Sequence, residues 1–115
     1  MIAVIFEVIP KPGRTDDYFS HAAHLKSTLE TMHGFVSVER FESVTQPGKF
    51  LSLSFWRDEE AVKNWRNQTQ HRATQQTGRE HVFADYRLRV ASVIRDYGMF
   101  ERDQAPDDSR SHHHD

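Results

Sequence analysis

Apolar and polar positions change their period several times along this chain, and each change marks an element. Residues 2 to 9 alternate as a strand does, yet both parities are apolar: Ile2, Val4, Phe6 and Val8 on one, Ala3, Ile5 and Ile9 on the other, with Glu7 the one charge among them. A strand with two apolar faces is one covered on both sides. Pro10 to Gly13 then make a turn, after which Tyr18, Ala22, Leu25, Leu29 and Met32 recur at helical spacing. Thr15 reads as that helix's N-cap, with Asp16 and Asp17 in the first turn where the dipole favours acids, and Gly34 is placed to end it.

Residues 35 to 44 and 50 to 56 read as a hairpin joined through Thr45, Gln46, Pro47 and Gly48. The second of these strands sets Leu51, Leu53 and Phe55 against Phe50, Ser52, Ser54 and Trp56. Two small hydroxyls between two large rings leave room on that face, either to floor a cavity or to take a partner's sheet. Asp58 caps the next helix, with Glu59 and Glu60 in its first turn and Ala61, Val62 and Trp65 turned inward. A break at residues 67 to 69 starts a second helical piece that ends near Gly78. The apolar positions from Phe83 to Tyr97 suit either period, and β-branched residues together with the need for another strand favour a strand from about residue 86 to 97. Beyond residue 99 the chain turns polar, which predicts one domain over residues 1 to 99 and a disordered tail from 100 to 115.

Strand, helix, strand, strand, split helix, strand is the order of a ferredoxin-like α+β sandwich with an antiparallel sheet. Its helices lie on one face only, so the two-faced first strand predicts a second cover from another subunit, that is, a homodimer. A length of 115 residues fits a single domain with one core. Apolar and charged fractions of 37% and 28% fit a soluble globular chain, and no apolar run is long enough to cross a bilayer. The N-terminus lacks the marks of a signal peptide, which predicts a cytoplasmic protein.

The chain has no cysteine, which removes disulfides, thiolate nucleophiles and cysteine-held metal centres. A net charge of −2 offers no footprint for nucleic acid and turns attention to small molecules. His21 and His24 lie three apart on the first helix, but no acid completes a metal set, so they read as solvated. The run His112 to His114 can hold stray metal and carries no function here. Arg87, Arg89 and Arg95 share a strand parity and meet either an anionic ligand or Glu39 and Glu42 of a neighbouring strand.

Trp65, His71, Arg72, Gln75 and Arg79 combine flat apolar area with hydrogen-bonding heads, as the walls of planar-ligand pockets do. The plainer alternative makes Trp65 a core anchor and leaves the others in water. The run WRxxxxHRxxQxxGR from Trp65 to Arg79, followed by DYRLRV from Asp85, resembles the antibiotic biosynthesis monooxygenase (ABM) family of dimeric α+β barrels. The general layout agrees over residues 1 to 98.

That resemblance implies a homodimer whose sheets pack face to face, each subunit keeping its own pocket. Enzymes of the family oxygenate polycyclic phenols and quinols without flavin or metal, or degrade haem bound as substrate. The implied chemistry needs a base, groups that stabilise an anion, and a dry pocket. His71 is then the base, Arg72 or Arg79 the oxyanion partner and Trp65 the stacking surface, with Trp56, Gln75, Arg79 and Glu7 as substrate contacts. Glu7 is a second proton acceptor if it faces the pocket, and otherwise pairs with an arginine of the last strand. The haem-degrading branch sets an Asn on the first strand and a ligating His about three turns past the Trp. This chain has Phe6 or Glu7 and Gln75 there. The expectation is a cofactor-independent monooxygenase acting with molecular oxygen on a small aromatic substrate. Its alternatives are a non-catalytic barrel that binds a hydrophobic ligand, or a haem-binding or haem-degrading member.

Overall fold

In the computed structural model, which describes residues 1–113, four strands form one sheet. They are β1 (Ile2–Pro10), β2 (Phe35–Glu42), β3 (Phe50–Trp56) and β4 (Phe83–Ser92), in the order β2-β3-β1-β4 with every neighbouring pair antiparallel. Helix α1 (Thr15–Thr31) connects β1 to β2, and the split helix α2 (Glu59–Arg66) and α3 (Thr69–Thr77) leads from β3 through a π-helical turn, Gly78–Val82, into β4. This is the ferredoxin-like α+β sandwich that the periodicities predict.

Register decides which side chains meet. Val4 stands between Ser54 and Val90, Phe6 between Ser52 and Leu88, and Val8 between Phe50 and Tyr86, and this parity faces the helices. The opposite parity carries Ala3, which is buried, and Ile5, Leu51, Leu53 and Phe55, which are only partly covered. Glu7 belongs to it as well. Its carboxylate accepts a hydrogen bond from Arg89 at 3.0 Å and lies 3.9 Å from the Lys49 amine.

On the helix side the core is in two parts. Val8, Tyr18, Phe50 and Val82 make one buried cluster, and Leu29, Trp56, Ala61 and Val62 make the other. Phe50 and Trp56 stand at opposite ends of β3, with Ser52 and Ser54 between them. The small hydroxyls hold the clusters apart, and the space lies above them.

Two glycines set the approach of the helices. Gly34 has φ +83° and a Cβ on it would fall 2.6 Å from the Ala61 Cβ, so only glycine lets the α1–β2 turn pass under α2. At Gly78 a Cβ would meet the Phe83 ring at 2.6 Å. Asp58 caps α2 as expected, its carboxylate accepting from the Ala61 N–H at 2.9 Å. That bond, helped by Arg57, holds the Asp58 carboxyl below its ordinary range.

Several boundaries differ from the sequence-based expectations. Thr15 is the first residue of α1, and the N-cap is Arg14, whose side chain makes no cap bond and instead donates to Asp17 at 2.9 Å. Strand β4 runs from 83 to 92, earlier at both ends than residues 86 to 97, because its partner sets its length: Ser92 stands opposite Ile2, and Val93 N–H donates to the Met1 carbonyl at 3.0 Å. Arg95 therefore lies outside the sheet. Arg89 pairs with Glu7, while Glu42 accepts from Gly48 N–H at 3.0 Å.

Beyond β4 the chain carries one more helical segment. Asp107–His113 forms a short helix, α4, and the Arg110 guanidinium gathers the carbonyl oxygens of Arg102, Asp103 and Ala105 at 2.6, 2.8 and 3.1 Å. Of the histidine run, His114 lies outside the described residues.

Candidate functional site

A cavity of about 200 Å³ opens between the sheet and the helices, above Ser52 and Ser54. It exceeds the roughly 150 Å³ apolar hole that takes up benzene, so a ring with a substituent has room there. Val4, Phe6, Leu88 and Val90 line it from the sheet, and Tyr18, His21, Ala22 and Leu25 from α1. Val62, Trp65, Arg66, His71, Thr74 and Gln75 line it from α2 and α3. Among the described residues, Arg66 is the one Lys or Arg in that lining, and no Asp or Glu belongs to it.

The split between α2 and α3 is what brings Trp65 and His71 together. Asn67 caps the end of α2, and Gln68 begins α3 by accepting from the His71 N–H at 2.7 Å. The turn folds the His71 ring back onto Trp65, with ring centroids 4.3 Å apart and planes 16° from parallel. Trp65 lies in turn against Trp56 at 6.2 Å and 27°. A buried indole thus backs an indole that backs an imidazole, and the imidazole edge borders the cavity.

The tautomer of His71 follows from its neighbour. Its Nδ1 lies 2.9 Å from the Trp65 carbonyl oxygen, and only an N–H can pair with a carbonyl. Nδ1 therefore carries the proton in the neutral ring, leaving the Nε2 lone pair as a base. Burial pushes the His71 pKa down, the bond to the Trp65 carbonyl opposes this, and the nearby Arg72 charge adds to the lowering. The net direction favours the neutral imidazole at pH 7.

The other predicted residues are distributed unevenly. Gln75 lines the cavity. Trp56 is 1% exposed, donates from Nε1 to Ser54 Oγ at 2.9 Å, and supports the stack from behind. Arg72 donates to Asn67 Oδ1 at 2.9 Å and borders an outer groove with Arg79. Arg79 touches the cavity wall only indirectly, donating to the Tyr86 hydroxyl at 2.9 Å. Glu7 does not line the cavity. It sits on the opposite face of the sheet, in the arginine-paired arrangement that was its alternative.

Tyr18, His21 and Arg66 are cavity residues that were not singled out as site residues from the sequence. Tyr18 is 5% exposed, and burial raises its pKa while the nearby Arg40 guanidinium partly offsets this. For His21 a signal was present: it follows Tyr18 by three and precedes Leu25 by four, which puts it on the apolar stripe itself. Among the described residues no group of three His, Cys, Asp or Glu could hold a metal ion, and no helix is long and apolar enough to cross a membrane.

Comparison with known proteins agrees with this layout. A family model described as antibiotic biosynthesis monooxygenase matches residues 1–77. The chain is 44% identical over 93 residues to a jasmonate monooxygenase ABM of Pyricularia oryzae, covering 81% of this chain and 43% of that protein, so it spans less than half the length of this relative. It is 31% identical over 93 residues to the uncharacterized protein YqjZ of Bacillus subtilis, covering 81% of this chain and 79% of that one. The solved structure of Rv0793 from Mycobacterium tuberculosis superposes with a TM-score of 0.75 at 15% identity, covering 84% of this chain and 98% of the other, a likeness of fold.

Proposed function

The chain belongs to the antibiotic biosynthesis monooxygenase family, and on that premise we propose that it is a cofactor-independent monooxygenase of a phenolic or quinol-like small molecule. The substrate ring enters the cavity against Phe6 and Trp65. His71 Nε2 takes the proton of the ring hydroxyl, and the resulting anion is electron-rich enough to pass an electron to molecular oxygen. The substrate supplies the reducing equivalents. The Arg66 guanidinium faces the anion, a role that Arg72 and Arg79 are less well placed to fill. The apolar walls keep water from the reacting pair.

One observation carries this reading: a neutral imidazole, tied through Nδ1 to a backbone carbonyl and stacked on an indole, offers its free nitrogen to an apolar cavity. The test is oxygen uptake by purified protein with a panel of reduced phenols and naphthols. His71→Ala is expected to slow turnover about tenfold or more. Absence of turnover across the panel, with ligands still bound, would make the chain a binding module instead.

The 44% identity to the jasmonate monooxygenase favours a second substrate class, so the same assay includes a jasmonate with product mass as readout. Jasmonates have no phenolic proton, and turnover of a jasmonate without turnover of any phenol would remove the base role from His71. The small apolar cavity, about 200 Å³, favours a substrate smaller than haem. A haem titration is expected to leave the Soret band of free haem unshifted.

We assign the open face of the sheet to a second copy of the chain. Ile5, Leu51, Leu53 and Phe55 form an apolar surface there, and joining two such faces gives the barrel of the family layout.

A further inference from the structure

His21 lines the same cavity as His71 from a different helix, α1, and its chemistry is the complement. The ring lines the cavity, yet its Nδ1 is sealed from solvent and has no hydrogen-bond partner. Two consequences follow. Since Nδ1 is the sealed nitrogen, any polar contact this ring makes with a guest in the cavity is made through Nε2. A sealed N–H without an acceptor is also costlier than a sealed lone pair, so the proton of the neutral ring sits on Nε2. The two imidazoles are then opposite tautomers. His71 has its proton on Nδ1, committed to the Trp65 carbonyl at 2.9 Å, and presents a lone pair. His21 presents an N–H.

We propose that His21 is a substrate-binding residue whose Nε2–H donates to a second oxygen of the substrate, a carbonyl or an anionic oxygen, while His71 receives the hydroxyl proton. This rests on the reading of the cavity as the substrate site. The pair selects a class: ring compounds with both a hydroxyl and a separate oxygen acceptor, as in hydroxyaryl ketones and hydroxyquinones, over simple phenols. The remaining lining agrees, because among the described residues it holds no carboxylate to repel such an acceptor and has Arg66 as its one Lys or Arg.

Calorimetric titration with matched probes tests this without any turnover. The probes are meta- and para-hydroxyacetophenone, each against the ethylphenol of the same substitution, which keeps the size and hydroxyl but lacks the carbonyl. In the wild type at least one ketone is expected to bind about fivefold tighter than its partner, the worth of one net hydrogen bond. His21→Phe should erase that ratio, and His21→Gln, which keeps an N–H donor, should restore part of it. The proposal is overturned if neither carbonyl confers an advantage, or if His21→Phe weakens ketone and ethylphenol alike. A chain that binds with the expected ratios but consumes no oxygen would fail as a monooxygenase and keep the His21 assignment.

Discussion

At His71 the direction of the pKa shift makes a pH prediction. Burial is the largest cause and lowers the folded value below about 6.5, the ordinary value for histidine. Between the folded value and about 6.5 the unfolded chain binds more protons, so stability rises with pH through that window and this contribution is level above it. Urea midpoints measured across the window are expected to climb with pH in the wild type and to lose that part of the climb in His71→Gln. Oxygen uptake should fall on the acid side as His71 Nε2 is protonated. A flat profile would mean that the ring is solvated rather than sealed. Trp56 makes a different residue-scale claim. With 1% of its surface exposed and Trp65 stacked on it, Trp56→Ala is expected to cost about 3–5 kcal/mol in chemical denaturation and to loosen the His71 ring with it.

Among the elements, the turn from α1 to β2 is the most demanding. Gly34→Ala must tolerate both a positive φ and a Cβ at 2.6 Å from Ala61, and is expected to lose about 2 kcal/mol or more, read as a lowered melting temperature. Element types were legible in the sequence wherever a period ran long enough. The alternation of β3 also predicted the space above Ser52 and Ser54, because side-chain size on a strand face is a local fact. The ends were less legible. Strand β4 was placed too far along the chain because its limits are set by β1, a partner distant in sequence, and the π-helical turn before it has no period of its own. His21 was misread for a related reason. Whether a polar residue on an apolar stripe meets water or a cavity depends on the sheet beneath it, and residue spacing along one helix does not contain that. Trp65 and His71, by contrast, were legible as a pair, since the break at Asn67 and Gln68 has only a few residues in which to turn.

For the whole molecule, the open sheet face predicts association. Leu53→Asp puts a charge at the middle of Ile5, Leu51 and Phe55, and is expected to give a single-chain mass in light scattering where the wild type gives twice that. A wild-type monomer at all concentrations would refute the assignment of that face to a second copy. The ion pair of Glu7 with Arg89 lies on the same surface, where a partner sheet would dry it. Loss of either charge alone should then weaken the dimer more than loss of both. The gap between Phe50 and Trp56 has a last consequence. A bulky aliphatic side chain at residue 52, as in Ser52→Leu, would join the separate clusters into one continuous interior, and the variant should resist urea better than its parent by about 1–2 kcal/mol. It should also admit no guest, so selection for robustness alone would close this chamber, and its persistence as an opening marks a use that hardness does not serve.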